Sequence, residues 1–463
     1  MDKNCQTRCG NYRPVLTAYN CQTMGVDMLD VLCCQITIGD ADPANPMAIN
    51  NVITLTEVQE IEINESYKTL IGTAKIIFPK GTVYKSTIIG NATTEGKDAS
   101  RITTEIMQDG VIIEKRTSQQ AMTETSFKIG QRVNVKLGYN NMLKNMFDGY
   151  ISGYNSDSQF EIQCENMAYK LKLKQAPKFE TQSSVSVNDV LGEKYGLLKD
   201  TGFEIHSETK RFDIQIGQVK ITDNFTVADI LSEWSKYKVY CYLKYDENSP
   251  NNMPTIAIGR PYSSSKSQPV FPQDSEAKPF KIYFNYHVAN NDLKIVKTDP
   301  KFLAVTGKAL GADEKFFEVT VRMNPEYDPT IKGSKEFQTV NATQISKKTH
   351  KVTGNTTAQG AATKTKVDLS TYTIVPYMSP NMKINSDKLV EETIEYFRNY
   401  NLNGITGHLT LFGDLALNTA VQVELIDERN PSKNGVYLVE EVTTTFGVNG
   451  YRQRITVPYK ISK

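Results

Sequence analysis

The residues best suited to chemistry in this 463-residue chain are seven cysteines and four histidines. Cys5, Cys9, Cys21, Cys33 and Cys34 crowd the N-terminus. A C-x3-C pair, a lone cysteine eleven residues on and no C-x-x-C anywhere is poor zinc-ligand spacing. An odd count in a chain without a recognisable leader reads as free thiols in a reducing compartment. His206, His287, His350 and His408 are widely scattered. A Cys–His nucleophile pair would need Cys164 or Cys241 beside one of them. Both cysteines fall on the apolar phase of strand-like runs, where a small hydrophobe is expected. The G-x-S-x-G, H-E-x-x-H, P-loop and G-x-G-x-x-G patterns are all missing. No Asp or Glu stands out as half of a glycoside-cleaving pair. The expectation is therefore a non-enzyme with no catalytic residue, no cofactor and no metal centre.

One cluster has a possible contact role. Phe337–Val367 carries Lys347, Lys348, Lys351, Lys364 and Lys366 and no acid. It reads as a long basic loop, and long loops in compact domains are functional or disordered. Its interleaved residues are Thr, Gly and Ala, so it is no stacking platform for single-stranded nucleic acid. The plain reading is a solvated loop; the functional one is contact with a partner that meets the five lysines.

The elements that would hold such residues are mostly strands. Val133, Val135 and Leu137 alternate with polar residues. So do Phe160, Ile162 and Cys164; Phe317, Val319, Val321 and Met323; Val421, Val423 and Leu425; and Tyr451, Gln453, Ile455, Val457 and Tyr459. A period of two places one face on a core. Short runs divided by Gly, Asn and Asp favour antiparallel sheets or barrels. Three helices interrupt them. One lies near Val187–Leu198, with Val187, Val190, Leu191 and Tyr195 on one face. The second follows Thr226, with Asp229 completing a capping box and Phe225 placed to staple onto Ile230; Val227, Ile230, Leu231 and Trp234 form its stripe. The third spans about Ser386–Asn401, with Val390, Ile394 and Phe397 at helical spacing and Asn403-Gly404 as a stop.

Length gives a prior of about three domains. With 53 Lys+Arg against 52 Asp+Glu the net charge is +1, too balanced for a protein that works by neutralising phosphates. No apolar run approaches the ~18 residues of a spanning helix. The start, Met1-Asp2-Lys3-Asn4-Cys5-Gln6, has no hydrophobic core of a signal peptide, so folding in a cytoplasm without membrane insertion is expected. Tyrosines number 24 beside one tryptophan, in keeping with an interface-rich protein.

Two segments resemble the phage tail hub and baseplate hub family. That family includes the late-control-D proteins and the N-terminal hub part of type VI secretion spike proteins. The first segment is Phe147-Asp148-Gly149-Tyr150-Ile151-Ser152-Gly153, then Phe160–Asn166, then Tyr169-Lys170-Leu171. The second is Gly407–Gly413, Val421–Ile426, Gly435–Val442 and Phe446–Val457. Phe225–Tyr245 with Thr255–Gly259 is similar to the small α/β unit found between the barrels of such hubs. The chain departs from the family at Asp414–Asn418, where a Pro-Gly is common, and in its Cys-rich start.

The resemblance implies a mainly β fold: two tail-tube-like antiparallel β-barrel domains with a small α/β insertion domain. The bounds expected are 1–49 for a Cys-rich extension, 50–176 for the first barrel and 177–262 for the insertion. A linker at 263–289 and the second barrel at 290–463, with the basic loop at 337–367, complete the set. It also implies a homotrimer whose two barrels per subunit make a pseudo-sixfold ring. Such a ring joins a hexameric tail tube protein to a trimeric spike or tip protein, meets other baseplate proteins and surrounds a channel. Viral DNA would pass through without sequence-specific binding, in a virion assembled in the host cytoplasm. Because the chain stops soon after its last strand, spike and lytic domains are expected on separate chains. The competing readings are the hub of a type VI-like or extracellular contractile injection system and, from other classes, a β-rich cell-wall or glycan hydrolase at a tail tip or an adhesin.

Overall fold

The computed structural model describes residues 31–42, 48–79, 83–87, 103–108, 111–117, 120–121, 127–155, 159–183, 185–212, 215–237, 239–245, 253–259, 278–297, 302–310, 315–328, 330–346, 352–355, 369–379, 386–399 and 403–460. The fold is mainly β. The alternating runs assemble into one sheet of thirteen strands. Their order is Val288–Asn291, Leu409–Phe412, Gly450–Thr456, Glu441–Gly447, Glu60–Ser66, Thr73–Phe78, Phe160–Asn166, Met142–Asn155, Arg132–Tyr139, Leu32–Ala41, Ile49–Leu55, Val83–Thr87 and Gln120–Ala121. Every neighbouring pair is antiparallel.

Period-two patterning decides which face is sealed. Ile36, Ile38, Ile61, Ile63, Ile76, Val133, Val135 and Leu137 lie on one face and are fully or nearly fully buried. Each such side chain contributes roughly 1.5–3 kcal/mol by leaving water. The sheet passes from early to late strands without a break. Glu60–Ser66 pairs with Glu441–Gly447 from Glu60↔Gly447 to Ser66↔Glu441.

The C-terminal half adds two smaller sheets. Phe280–Tyr283 runs parallel to Gln422–Ile426, followed across by Gly435–Leu438 and Tyr459–Lys460. A five-stranded sheet orders Val352–Asn355, Phe337–Ser346, Lys315–Met323, Leu303–Leu310 and Thr373–Met378. The Ser386–Asn399 helix buries Leu389 and Phe397 against that sheet's Leu303, Val305, Val319 and Val321. Asn403-Gly404, expected to stop the helix, opens the Asn403–Thr406 strand, which pairs with Lys294–Lys297.

Between the halves lies the α/β insertion. Its core gathers Val187, Val190, Leu191, Val227, Leu231 and Trp234. The Thr226–Asp229 box is formed: the Asp229 amide donates to Thr226 Oγ1 at 3.2 Å, and the Thr226 amide to Asp229 Oδ2 at 2.9 Å. These Thr226 bonds hold the Asp229 carboxyl below its ordinary range. Phe225 remains 42% exposed. The helix expected near Val187–Leu198 covers only Val187–Leu191. Gly192 caps it in an extended conformation and Gly196 turns the chain at φ 68°, so Tyr195 leaves the helix face and stacks on Phe179 at 4.6 Å.

Several expected bounds move. Leu32–Ala41 is a strand of the first sheet, not part of an extension to residue 49, because Cys34, Ile36 and Ile38 alternate into the core. Cys5, Cys9 and Cys21 lie outside the described residues. Phe280–Tyr283, with its buried Ile282, is a strand inside the expected linker 263–289, and Val288–Asn291 is a strand that crosses its end. The expected loop 337–367 is strand over Phe337–Ser346 and Val352–Asn355, paired with each other. Its Thr, Val and Ile residues form pleated ladders as readily as loops.

Candidate functional site: the sheet seam and the three-way junction

The open face of the large sheet is polar over Glu60–Ser66 and the strands on either side of it. Glu60, Glu62 and Asn64 alternate with the buried Ile61 and Ile63. Lys75 stands opposite Glu62 on one neighbour and Gln163 on the other. Lys75 Nζ is 2.9 Å from Glu161 Oε2. Gln163 first, then Lys75, holds the Glu161 carboxyl below its ordinary value. Across the seam, Thr443 Oγ1 donates to Asn64 Oδ1 at 2.8 Å, and Arg452 and Arg454 extend the face. A wall with one sealed apolar side and one hydrated, mixed-charge side can line a water-filled space.

The Gly149 of the hub-like motif has a steric reason. A Cβ there would overlap the Glu165 carbonyl oxygen of the adjacent strand. Gly413, at the other end of the sheet, lies flat under the Tyr451 ring, leaving no room for a side chain.

The insertion, the first β unit and the C-terminal unit meet around the turn after Glu60–Ser66. Tyr67 is completely buried, with its ring 5.7 Å from Tyr240 and 6.5 Å from Tyr242. Its amide donates to the Glu440 carbonyl at 3.2 Å and its hydroxyl to Glu440 Oε2 at 3.3 Å. Lys68 Nζ lies 2.7 Å from the same carboxylate. Ala257, Ala420 and Leu438 complete the apolar knot. Beside it is a cavity of about 70 Å³ whose only carboxylate is Glu65. Burial pushes that carboxyl up to about 7.

A second buried polar pair faces the insertion. Arg132 Nη2 is 3.1 Å from Asp148 Oδ1, both side chains being almost wholly buried. The guanidinium sits 5.2 Å over the Tyr150 ring and also meets Met167 Sδ. Tyr150, Met167 and Leu171 belong to the insertion's core, so the pair fixes how that core rests on the sheet.

Among the described residues, the cysteines and histidines singled out from the sequence form no metal-binding group. Lys347, Lys348, Lys351, Lys364 and Lys366 lie outside the described residues, as does His350. Cys164 and Cys241 are buried and their thiols are pushed up by burial, the environment of core residues. Cys34 is similar, at about 12. His206 and His287 are buried, and His408 Nδ1 is 3.1 Å from Thr456 Oγ1. Among the described residues no three His, Cys, Asp or Glu side chains group as a metal site, and no helix is long and apolar enough to cross a membrane. The sequence reading missed Glu65, Arg132 and Asp148. Glu65 had a signal, since it follows Ile61 and Ile63 in the buried phase.

The chain is similar in structure to phage tail proteins. A tail protein from Neisseria meningitidis MC58 matches over 92% of this chain and 96% of its own, at 9% identity and a TM-score of 0.45. A 43 kDa tail protein of prophage MuSo2 from Shewanella oneidensis matches over 93% and 98%, at 12% identity and 0.46. A Francisella PdpA–VgrG complex chain matches over 97% and 62%, at 11% identity and 0.43. No family model matches the chain, and no curated protein matches it in sequence.

Proposed function

We propose that this chain is a structural hub of a phage tail or baseplate and has no catalytic role. One observation carries the reading. The two hub-like segments, far apart in sequence, contribute strands to one sheet: Met142–Asn155 and Phe160–Asn166 from the first, Leu409–Phe412, Glu441–Gly447 and Gly450–Thr456 from the second. The helix Tyr169–Leu173 follows the first pair, where the resemblance puts a short helical turn. On this reading each subunit carries two tube-like β units, and the shared sheet would hold them at the fixed spacing that a threefold adaptor to a sixfold tube requires.

Three copies then close a ring around a channel, with the tail tube protein on one side and a spike or tip protein on the other. The hydrated, mixed-charge face suits a wall along which DNA slides, because it offers no continuous basic track to hold phosphates. The lysines Lys347, Lys348, Lys351, Lys364 and Lys366 serve as a contact with a neighbouring subunit or tail protein. Clustered positive charge without acids is self-repulsive unless solvent or an acidic partner meets it.

Native mass measurement of the purified chain and of the particle tests the assembly: a trimer is expected, and a stable dimer or a hexamer in the particle opposes it. Replacing Lys347, Lys348 and Lys351 together with Ser tests the contact. Lost assembly with normal DNA release from the few particles formed supports docking. Normal assembly with altered release places these residues in the channel instead.

A further inference from the structure

Near the Val288–Asn291 edge of the large sheet, three sealed polar atoms have no protein partner. His287 is 3% exposed and Tyr451 1%. Among the described residues, His287 Nε2, Tyr451 Oη and Asp414 Oδ1 are closed off from solvent and make no hydrogen bond. The strand ladders bring them together. Val288 pairs with Leu411, and Phe412 with Arg452. One step beyond these pairs come His287 on one side and Gly413, under the Tyr451 ring, on the other. His287 ends the Phe284–His287 turn, which carries the chain from the Phe280–Tyr283 strand of the small sheet into the large one. Asp414 follows Gly413 in the helical turn Gly413–Leu415. Lys144 pins that turn, its Nζ donating to the Asp414 carbonyl at 2.6 Å. Burial pushes the His287 imidazole down while the Asp414 charge opposes it. Burial first, then Tyr139 and Asp414, pushes the Tyr451 hydroxyl up. Asp414 is thus within electrostatic reach of both.

The hydrogen-bonding roles define what fits between them. The Tyr283 amide donates to His287 Nδ1 at 3.0 Å. Nδ1 is therefore an acceptor, the imidazole is neutral and its one proton sits on Nε2. His287 offers a donor, Asp414 Oδ1 an acceptor, and the Tyr451 hydroxyl either. A metal ion would meet the N–H proton, and an anion would meet the carboxylate. Water donates and accepts at once, and a buried water typically makes about three bonds to groups otherwise unsatisfied.

We propose that His287 Nε2, Asp414 Oδ1 and Tyr451 Oη together bind one buried water, and that this water fastens the crossover between the two sheets. It accepts from His287, donates to Asp414 and takes its third bond from Tyr451. One molecule then ties the Phe284–His287 link, the Gly413–Leu415 turn and the Gly450–Thr456 strand. Asp414–Asn418, where the sequence departs from the Pro-Gly common in hub proteins, supplies the acceptor.

A crystal structure of the full chain, at a resolution that shows ordered water, tests the site. One water within about 2.7–3.2 Å of all three atoms is expected. A direct His287–Asp414 bond, a dry site, or a water reaching fewer than three of them overturns the proposal. In solution, the chain labelled with nitrogen-15 in its histidines should show His287 protonated on Nε2 alone, with magnetisation passing from that proton to a bound water. A proton on Nδ1, or no transfer to water, overturns it. Tyr451→Phe keeps the ring over Gly413 and removes one bond, and its melting temperature should fall by about 2–4 °C. Asp414→Ala should cause a similar fall. Combined, they should lose clearly less than the sum, because both act on one water. Losses that add in full overturn the shared site.

Discussion

Gln453 and Arg132 are both completely buried on strands of the same sheet, yet they are satisfied in opposite ways. Gln453 is neutral and keyed to backbone: its Nε2 donates to the Leu417 carbonyl at 3.0 Å and to Thr444 Oγ1 at 3.2 Å, and its Oε1 accepts from the Leu417 amide at 2.8 Å. Arg132 is a cation held against the Asp148 carboxylate and the Tyr150 ring. The first arrangement ties a loop to the C-terminal end of the sheet and is insensitive to salt and pH. The second ties the insertion to the sheet and depends on both members being present. The late strands are thus joined for permanence, while the insertion rests on groups that respond to charge.

Breaking the charged pair should have the largest effect. Asp148→Ala removes the carboxylate that neutralises the buried Arg132 guanidinium and should destabilise by about 3–5 kcal/mol in chemical denaturation. Arg132→Met combined with Asp148→Leu should recover most of that loss, because the desolvated charges go together. Were the double variant as unstable as the single, the pair's role would be shape and not charge. Gln453→Leu should cost about 1–3 kcal/mol by stranding the Leu417 amide and carbonyl, with the same loss at pH 5 and pH 8. Thr226→Ala removes the cap of the insertion's best helix and should cost about 1 kcal/mol. Glu161→Gln, on the open face, should change stability by less than about 1 kcal/mol, and added salt should erase the difference.

Much of this was legible in the chain. Alternation at Val133–Leu137 and Phe160–Cys164 located strands and their buried faces, and Thr226 with Asp229 located a helix start, since these are short-range patterns. Gln453 in an apolar phase was a visible sign of a buried polar contact. The pairing of Glu60–Ser66 with Glu441–Gly447 was not legible: register between distant strands is set by tertiary packing. Arg132 was also hidden, because it points away from the Val133–Leu137 face and its partners Asp148, Tyr150 and Met167 come from later segments. Phe337–Ser346 was misread because threonine serves loops and strands alike.

In the proposed function, a subunit with two β units on a shared sheet builds a threefold ring that presents sixfold-like symmetry to a tube. Electron microscopy of the purified assembly, averaged without imposed symmetry, tests it most directly. The account predicts a ring of three subunits with a central channel and six similar lobes around it. A closed dimer, or a ring of six complete subunits, would contradict it.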